Sequence, residues 1–172
     1  VFGKAGYLQT LVAFSRRDAE SRDGWTHIQL GLESDIYTEV NRKQAQNIPP
    51  ESKRLVVCVG SGNALSTILH GMDDAGLSHI PVLGVRVGID PTKLLDRRGP
   101  ADWRDRVELV ESATDFNTRA PVTQLGGIEL DPYYEAKCLP FLREGDTFYV
   151  LAIRTVDIDQ GAQADQNEQE QT

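Results

Sequence analysis

Residues 54–72 read RLVVCVGSGNALSTILHGM, and this stretch decides the fold. Leu55 to Val59 is an unbroken apolar run of the kind a strand buried on both faces needs. Gly60-Ser61-Gly62-Asn63 follows as a tight turn. Ala64, Leu65, Ile68, Leu69 and Met72 then recur at helical spacing. Strand, glycine turn and helix together aim backbone N–H groups at one point, at the positive end of a helix dipole. An anion, most often a phosphate, suits that point.

Outward from this unit, Gly76 stands where a helix C-terminus wants a glycine. Pro81 to Val87 (PVLGVRV) is the next strand, and Gly84 inside it signals close backbone approach. The resulting βαβ unit implies a parallel sheet. Upstream, Asp35 to Gln46 reads as a helix with Ile36, Val40 and Ala45 inward, ended at Pro49-Pro50. Thr10 to Phe14 reads as a short strand, Arg16 to Asp23 as a short surface helix and Trp25 to Leu30 as another strand. Downstream, Asp102 to Ser112 fits helix or strand, with the strand favoured after Arg104. Asn117 to Gln124 is loop. Asp131 is a good N-cap and Pro132 a good first residue for a helix towards Leu142, disturbed at Pro140. Thr147 to Ile153 (TFYVLAI) is a strand.

The fold class expected is α/β, three-layered, with a mainly parallel sheet and ligands at the carboxyl ends of the strands at 54–59 and 81–87. The chain has 172 residues, 40 % hydrophobic and 26 % charged, which suits one domain with a true core. Net charge is −8, but the stretch from Val156 to Thr172 carries five acids and no base. Without those five, 21 acids face 18 bases, so the body is near −3. A nucleic-acid or anionic-membrane surface is therefore not expected. No apolar run is long enough to span a bilayer. Cys58 and Cys138 both sit in apolar stretches and read as buried free thiols of a reducing, cytoplasmic setting.

Two common phosphate loops are excluded. No Lys-Ser/Thr pair closes a GxxxxG, and Leu65 stands where a dinucleotide fingerprint needs a third small residue. His27, His70 and His79 lack metal-ligand spacing, and no nucleophile elbow is present. On spacing alone the turn is equally a turn without a ligand.

Three segments, in order, resemble the second half of a fold-type II (tryptophan-synthase-β-like) pyridoxal-phosphate enzyme. The branch they are most similar to contains aminocyclopropane-carboxylate deaminase and D-cysteine desulfhydrase. Gly60-Ser61-Gly62-Asn63-Ala64-Leu65 resembles the family's GSGGT-type loop. Ile80 to Val87 resembles the strand after it. Leu130-Asp131-Pro132-Tyr133-Tyr134-Glu135-Ala136-Lys137 resembles the LDPVY-(T/E)-GK segment, and Gly31-Leu32-Glu33 loosely resembles the entry into the preceding helix. The likeness spans Trp25 to Ile153. It implies residues 1–24 as the remnant of a small domain, 25–155 as the cofactor-phosphate-binding domain and 156–172 as a disordered acidic tail.

The resemblance implies pyridoxal phosphate as cofactor, held through its phosphate by Gly60, Ser61, Gly62, Asn63 and Ala64. It implies Tyr134 at the substrate amine and Glu135 at the pyridine nitrogen, where a carboxylate favours the protonated ring and strengthens it as an electron sink. Lys137 would be structural or near a helix surface. The chain departs from the pattern at Asn63-Ala64-Leu65, and Lys4, within FGKAGY, does not match the family's Schiff-base lysine motif. That lysine is expected on a separate N-terminal-half partner. The implied function is a lyase or deaminase-like activity on a small amino acid, in a homo-oligomer. The alternatives are a non-catalytic phosphate-ligand-binding or structural protein of the same descent, and an unrelated sugar-phosphate-binding domain.

Overall fold

A computed structural model describes residues 8–27 and 34–150. Lys4, Gly31-Leu32-Glu33 and the acidic stretch after Val156 lie outside the described residues. The protein is α/β. Four parallel strands form one sheet in the order β3-β2-β1-β6, with β1 Arg54–Val59, β2 Val82–Arg86, β3 Val107–Glu111 and β6 Asp146–Tyr149. A two-stranded antiparallel ribbon, β4 Gln124–Leu125 and β5 Ile128–Glu129, turns at Gly126 and Gly127, both at positive φ.

β1 is central because its side chains demand cover on both faces: none of Leu55 to Val59 exceeds 3 % exposure. Leu55, Val57 and Val59 point to one face, where helix α3 (Asn63–Asp74) brings Leu65, Ile68, Leu69 and Met72 against them. Helices α2 (Asp35–Gln44), α4 (Thr92–Arg98) and α5 (Trp103–Arg106) complete that layer through residues such as Leu95 and Trp103. Val56 and Cys58 point to the other face and meet Cys138, Tyr134, Phe141 and Leu142 of the segment around a 3-10 helix, Glu135–Phe141. α3 ends in a glycine cap: Gly76 has φ +70°, and the Leu77 N–H donates to the Met72 carbonyl at 2.7 Å.

The chain runs outward from β1 to β2 to β3 and then returns to β6 on the far side of β1. The strand order therefore reverses at β1, and the turn at Gly60 leaves β1 at its carboxyl end. Open α/β sheets hold ligands in the crevice such a reversal creates.

Several expectations are corrected. Thr10–Phe14 is not a strand. It lies inside helix α1 (Leu8–Glu20), which also absorbs most of the expected surface helix, because no breaker separates the two. Of the strand expected at Trp25 to Leu30, Trp25, Thr26 and His27 have no regular structure and residues 28–30 lie outside the described residues. α2 starts where expected, with the Ser34 hydroxyl accepting from the Tyr37 N–H, but its inner face is different. Ala45 is buried as expected, but Ile36 and Val40 are 77 % and 48 % exposed and Asn41 is buried in their place. Close approach decides this. Gly71 of α3 lies directly against the Arg42 carbonyl and against Ala45 just after α2, so the two helices meet through backbone and the smallest side chains and not through Ile36 or Val40. Asn41 keeps its buried amide satisfied by donating to the Tyr37 carbonyl at 3.1 Å. The helix expected from Pro132 to Leu142 is a 3-10 helix starting only at Glu135. Pro140 supplies no N–H, and Tyr134 sits at φ −129°, ψ −91° just before it.

The β1–β6 edge is tied by a half-buried ion pair. Arg54 donates to Asp146 through Nε (3.1 Å) and Nη2 (2.6 Å), and Asp146 is 5 % exposed. The guanidinium holds the Asp146 carboxyl below the usual carboxylate range. The native form thus binds its proton less readily than the unfolded chain. The resulting stabilisation is complete above the ordinary aspartate pKa of about 3.9 and is lost as pH falls through the depressed native value. Asp146→Asn is expected to flatten the acid limb of stability against pH in urea unfolding; an unchanged acid limb would remove the pair from this role.

Candidate functional site

A cleft of about 790 Å³ opens over the carboxyl ends of β1, β2 and β3. Each strand contributes its outgoing loop: Gly60 and Ser61 from β1, Gly88 and Ile89 from β2, Ser112 and Thr114 from β3. Tyr134 closes one side.

The β1 loop is built from close contacts. A Cβ on Gly60 would stand 2.7 Å from the Tyr134 hydroxyl, so that hydroxyl packs against the Gly60 backbone. A Cβ on Gly62 would stand 2.8 Å from Pro91 Cβ, and Gly62 has φ +92°, a conformation that disfavours any side chain. A Cβ on Gly88 would come 3.6 Å from Gly60 Cα, so two loop backbones pass side by side. Three glycines thus let the loops converge just before the 12-residue α3, whereas Gly62, Asn63 and Ala64 do not line the cleft. The Ser61 hydroxyl folds back to accept from the Asn63 N–H at 3.4 Å.

The expected site residues divide into two groups. Gly60, Ser61 and Tyr134 meet in the cleft although 74 positions separate the first from the last. Gly62 shapes the turn from beneath. Asn63 is 1 % exposed, and its side-chain oxygen accepts from Arg98 Nη1 at 2.9 Å, so that side chain faces α4. Ala64 contributes backbone at the first turn of α3. Glu135 is 1 % exposed, does not line the cleft and lies behind Tyr134, near enough for its charge to raise both the Tyr134 and Cys58 pKa values.

Tyr134 is a proton donor at neutral pH. Burial pushes its phenol far above the ordinary value of 10, further than the Gly60 backbone pulls it down. It can therefore hold or orient a ligand group but not abstract a proton as phenolate. Tyr134→Phe is expected to move the Gly60 amide resonance, because the lost hydroxyl packs against the Gly60 backbone; an unmoved Gly60 amide would contradict the contact.

Lys137 is not near the surface. It is 3 % exposed, and its ammonium donates to the Asp115 carbonyl at 2.6 Å and the Phe116 carbonyl at 3.2 Å. It pins the β3 loop that walls the cleft, from behind, where it lines a neighbouring apolar pocket of about 400 Å³. No lysine lines the cleft among the described residues. Cys58 and Cys138 are buried free thiols, as expected, and burial pushes the Cys58 thiol up, away from reactivity. His27 pairs with the Ser15 hydroxyl at 3.0 Å and His70 with the Arg98 carbonyl at 2.8 Å. No group of metal-ligating side chains occurs among the described residues, and no described helix is long and apolar enough to cross a membrane.

Sequence reasoning missed Arg86, Gly88, Ser112, Thr114 and Phe116. Their signal was positional: each follows or ends a strand on the side where parallel sheets bind ligands. No protein-family model, curated protein or solved structure matches the chain.

Proposed function

We propose that the chain is the cofactor-phosphate-binding half of a pyridoxal-phosphate-dependent lyase or deaminase-like enzyme acting on a small amino acid. One observation carries this reading: Tyr134 lies against Gly60, so the DPYYEAK segment and the GSGNAL turn, which resemble that family separately, meet at one cleft. An unrelated sugar-phosphate domain gives that meeting no role.

The residues fit the phosphate. Glycines at 60, 62 and 88 keep side chains away from the turn, and the amides at the start of α3 carry the positive end of a dipole. Pyridoxal phosphate, when bound, supplies an electron sink for charge developing beside a substrate amine. The chain's own residues would do the rest. Gly60 to Ala64 would fix the phosphate, Tyr134 would donate its hydroxyl proton to orient the ligand, and the Lys137-pinned loop would wall off water. Glu135 would act through Tyr134 and the buried layer beneath it.

Among the described residues the cleft lining supplies no lysine, which leaves two forms of the reading. In one, a partner carrying the N-terminal half brings the Schiff-base lysine; the exposed Ile36 and Val40 stripe of α2 supports apolar contact with another chain or a second copy. In the other, the chain binds a phosphorylated small molecule without catalysis.

Absorbance spectroscopy of the purified chain with pyridoxal phosphate, before and after borohydride, tests this. Saturable binding without a covalent adduct is expected. A borohydride-trapped lysine within the chain would overturn the missing-lysine claim, and no binding at all would overturn the cofactor reading.

A further inference from the structure

Arg86 ends β2 and lines the cleft beside the loops from β1 and β3. Its guanidinium is only partly used. Nη2 meets Glu111 Oε1 at 2.5 Å, across the β2–β3 pair in which Arg86 stands opposite Glu111. Nε is shielded from solvent and has no hydrogen-bond partner among the described residues. A buried donor left without an acceptor is a standing cost that an incoming acceptor removes.

The geometry points to Arg86 as an oxyanion-binding residue of the cleft, taking the planar carboxylate of a small amino-acid ligand on Nε and Nη2. Nε and Nη2 form the edge of the guanidinium that matches two carboxylate oxygens side by side. Glu111 already shows that a carboxylate fits one end of that edge. It is also easily displaced, because its side chain is 69 % exposed against 27 % for Arg86. Exposed ion pairs of this kind are weak. The acids near Arg86 or in the same cleft are Glu111, Asp90 and Asp115; Asp90 is held mainly by Thr92, whose hydroxyl donates to it at 2.6 Å and whose N–H at 3.0 Å. The cleft therefore has two anion-seeking points: the N–H groups of the β1 turn and the Arg86 fork. A phosphate suits the first and a carboxylate the second. Identifying that second anion as the substrate's carboxylate rests on the reading of Gly60–Ala64 as a phosphate seat; the Arg86 subsite itself does not.

The test is an NMR titration of the full chain, following the Arg86 Nε–Hε signal and the amides of Gly60 to Ala64. The probes are acetate, alanine, methylammonium and inorganic phosphate. Acetate and alanine are expected to move the Arg86 signal saturably, and methylammonium is not. Phosphate is expected to move the turn amides without displacing acetate. Arg86→Lys is expected to weaken acetate about tenfold or more, as loss of a charged, two-point contact should. Glu111→Gln, a surface change that leaves folding alone, is expected to tighten acetate about two- to fivefold by removing the competitor. An Arg86 signal unmoved by acetate and alanine, or acetate binding unchanged or weakened in Glu111→Gln, would overturn the subsite. Phosphate displacing acetate from Arg86 would also overturn it, making the residue part of the phosphate seat. Turn amides that ignore phosphate while Arg86 takes acetate would instead overturn the cofactor reading and leave the subsite standing.

Discussion

Gly62→Asp is expected to weaken pyridoxal phosphate binding by about 100-fold or more while the sheet stays folded. Three effects act in one direction. Gly62 has φ +92°, where an L side chain costs roughly 1–2 kcal/mol. Its Cβ would press on Pro91 Cβ at 2.8 Å, so the loop before α4 or the turn itself must shift. The new carboxylate would also stand at the start of α3, where the proposed phosphate carries the same sign. Gly62→Ala separates these terms, because it keeps strain and contact but adds no charge. Calorimetric titration should rank the affinities wild type, Gly62→Ala, Gly62→Asp. Equal affinity in all three would mean that the ligand, if bound, does not use this turn.

The largest loss of stability is expected at Gly71, far from the cleft. A Cβ there would meet the Arg42 carbonyl and stand 2.6 Å from Ala45 Cβ, both on fixed backbone. Gly71→Val must push α2 off α3 and loosen the packing of Ala45, Ile48 and Met72. Overpacking of this kind costs roughly 1–3 kcal/mol, and backbone obstruction puts this case at the top of that range or above it. A shift of the urea midpoint of that size, with Gly71→Ala in between, is the expected result. A Gly71→Val protein within about 0.5 kcal/mol of wild type, the range of an ordinary surface change, would mean that α2 does not dock as described.

The sequence made the central unit legible because local and tertiary demands agree there. The apolar run at Leu55–Val59 reads as a strand buried on both faces and the glycines after it as a tight turn, and β1 and the positive φ of Gly62 match both. Pro81–Val87 was read within one residue of β2 at each end, and Gly76 was read as a helix stop for the reason the structure shows. The α2 face was misread because hydrophobic periodicity weighs side-chain size. The helix pair is instead set by the smallest residues, Gly71 and Ala45, and Ile36 and Val40 are left outside. Thr10–Phe14 was misread because its four consecutive apolar residues fit either period until their neighbours are counted. Tyr134 and the glycine turn could be named from motifs. Arg86 and the Lys137 pin could not, since nothing in the spacing of an arginine at a strand end marks it as lining a cleft, or of that lysine as buried.

Backbone amide shifts mapped on the chain with pyridoxal phosphate, and with pyridoxal lacking the phosphate, test the central claim most directly. The account predicts saturable shifts centred on Gly60 to Ala64 and at Tyr134 with the phosphorylated compound, and none with pyridoxal at the same concentration. Equal shifts with both compounds, or shifts away from the β1 turn, would contradict it.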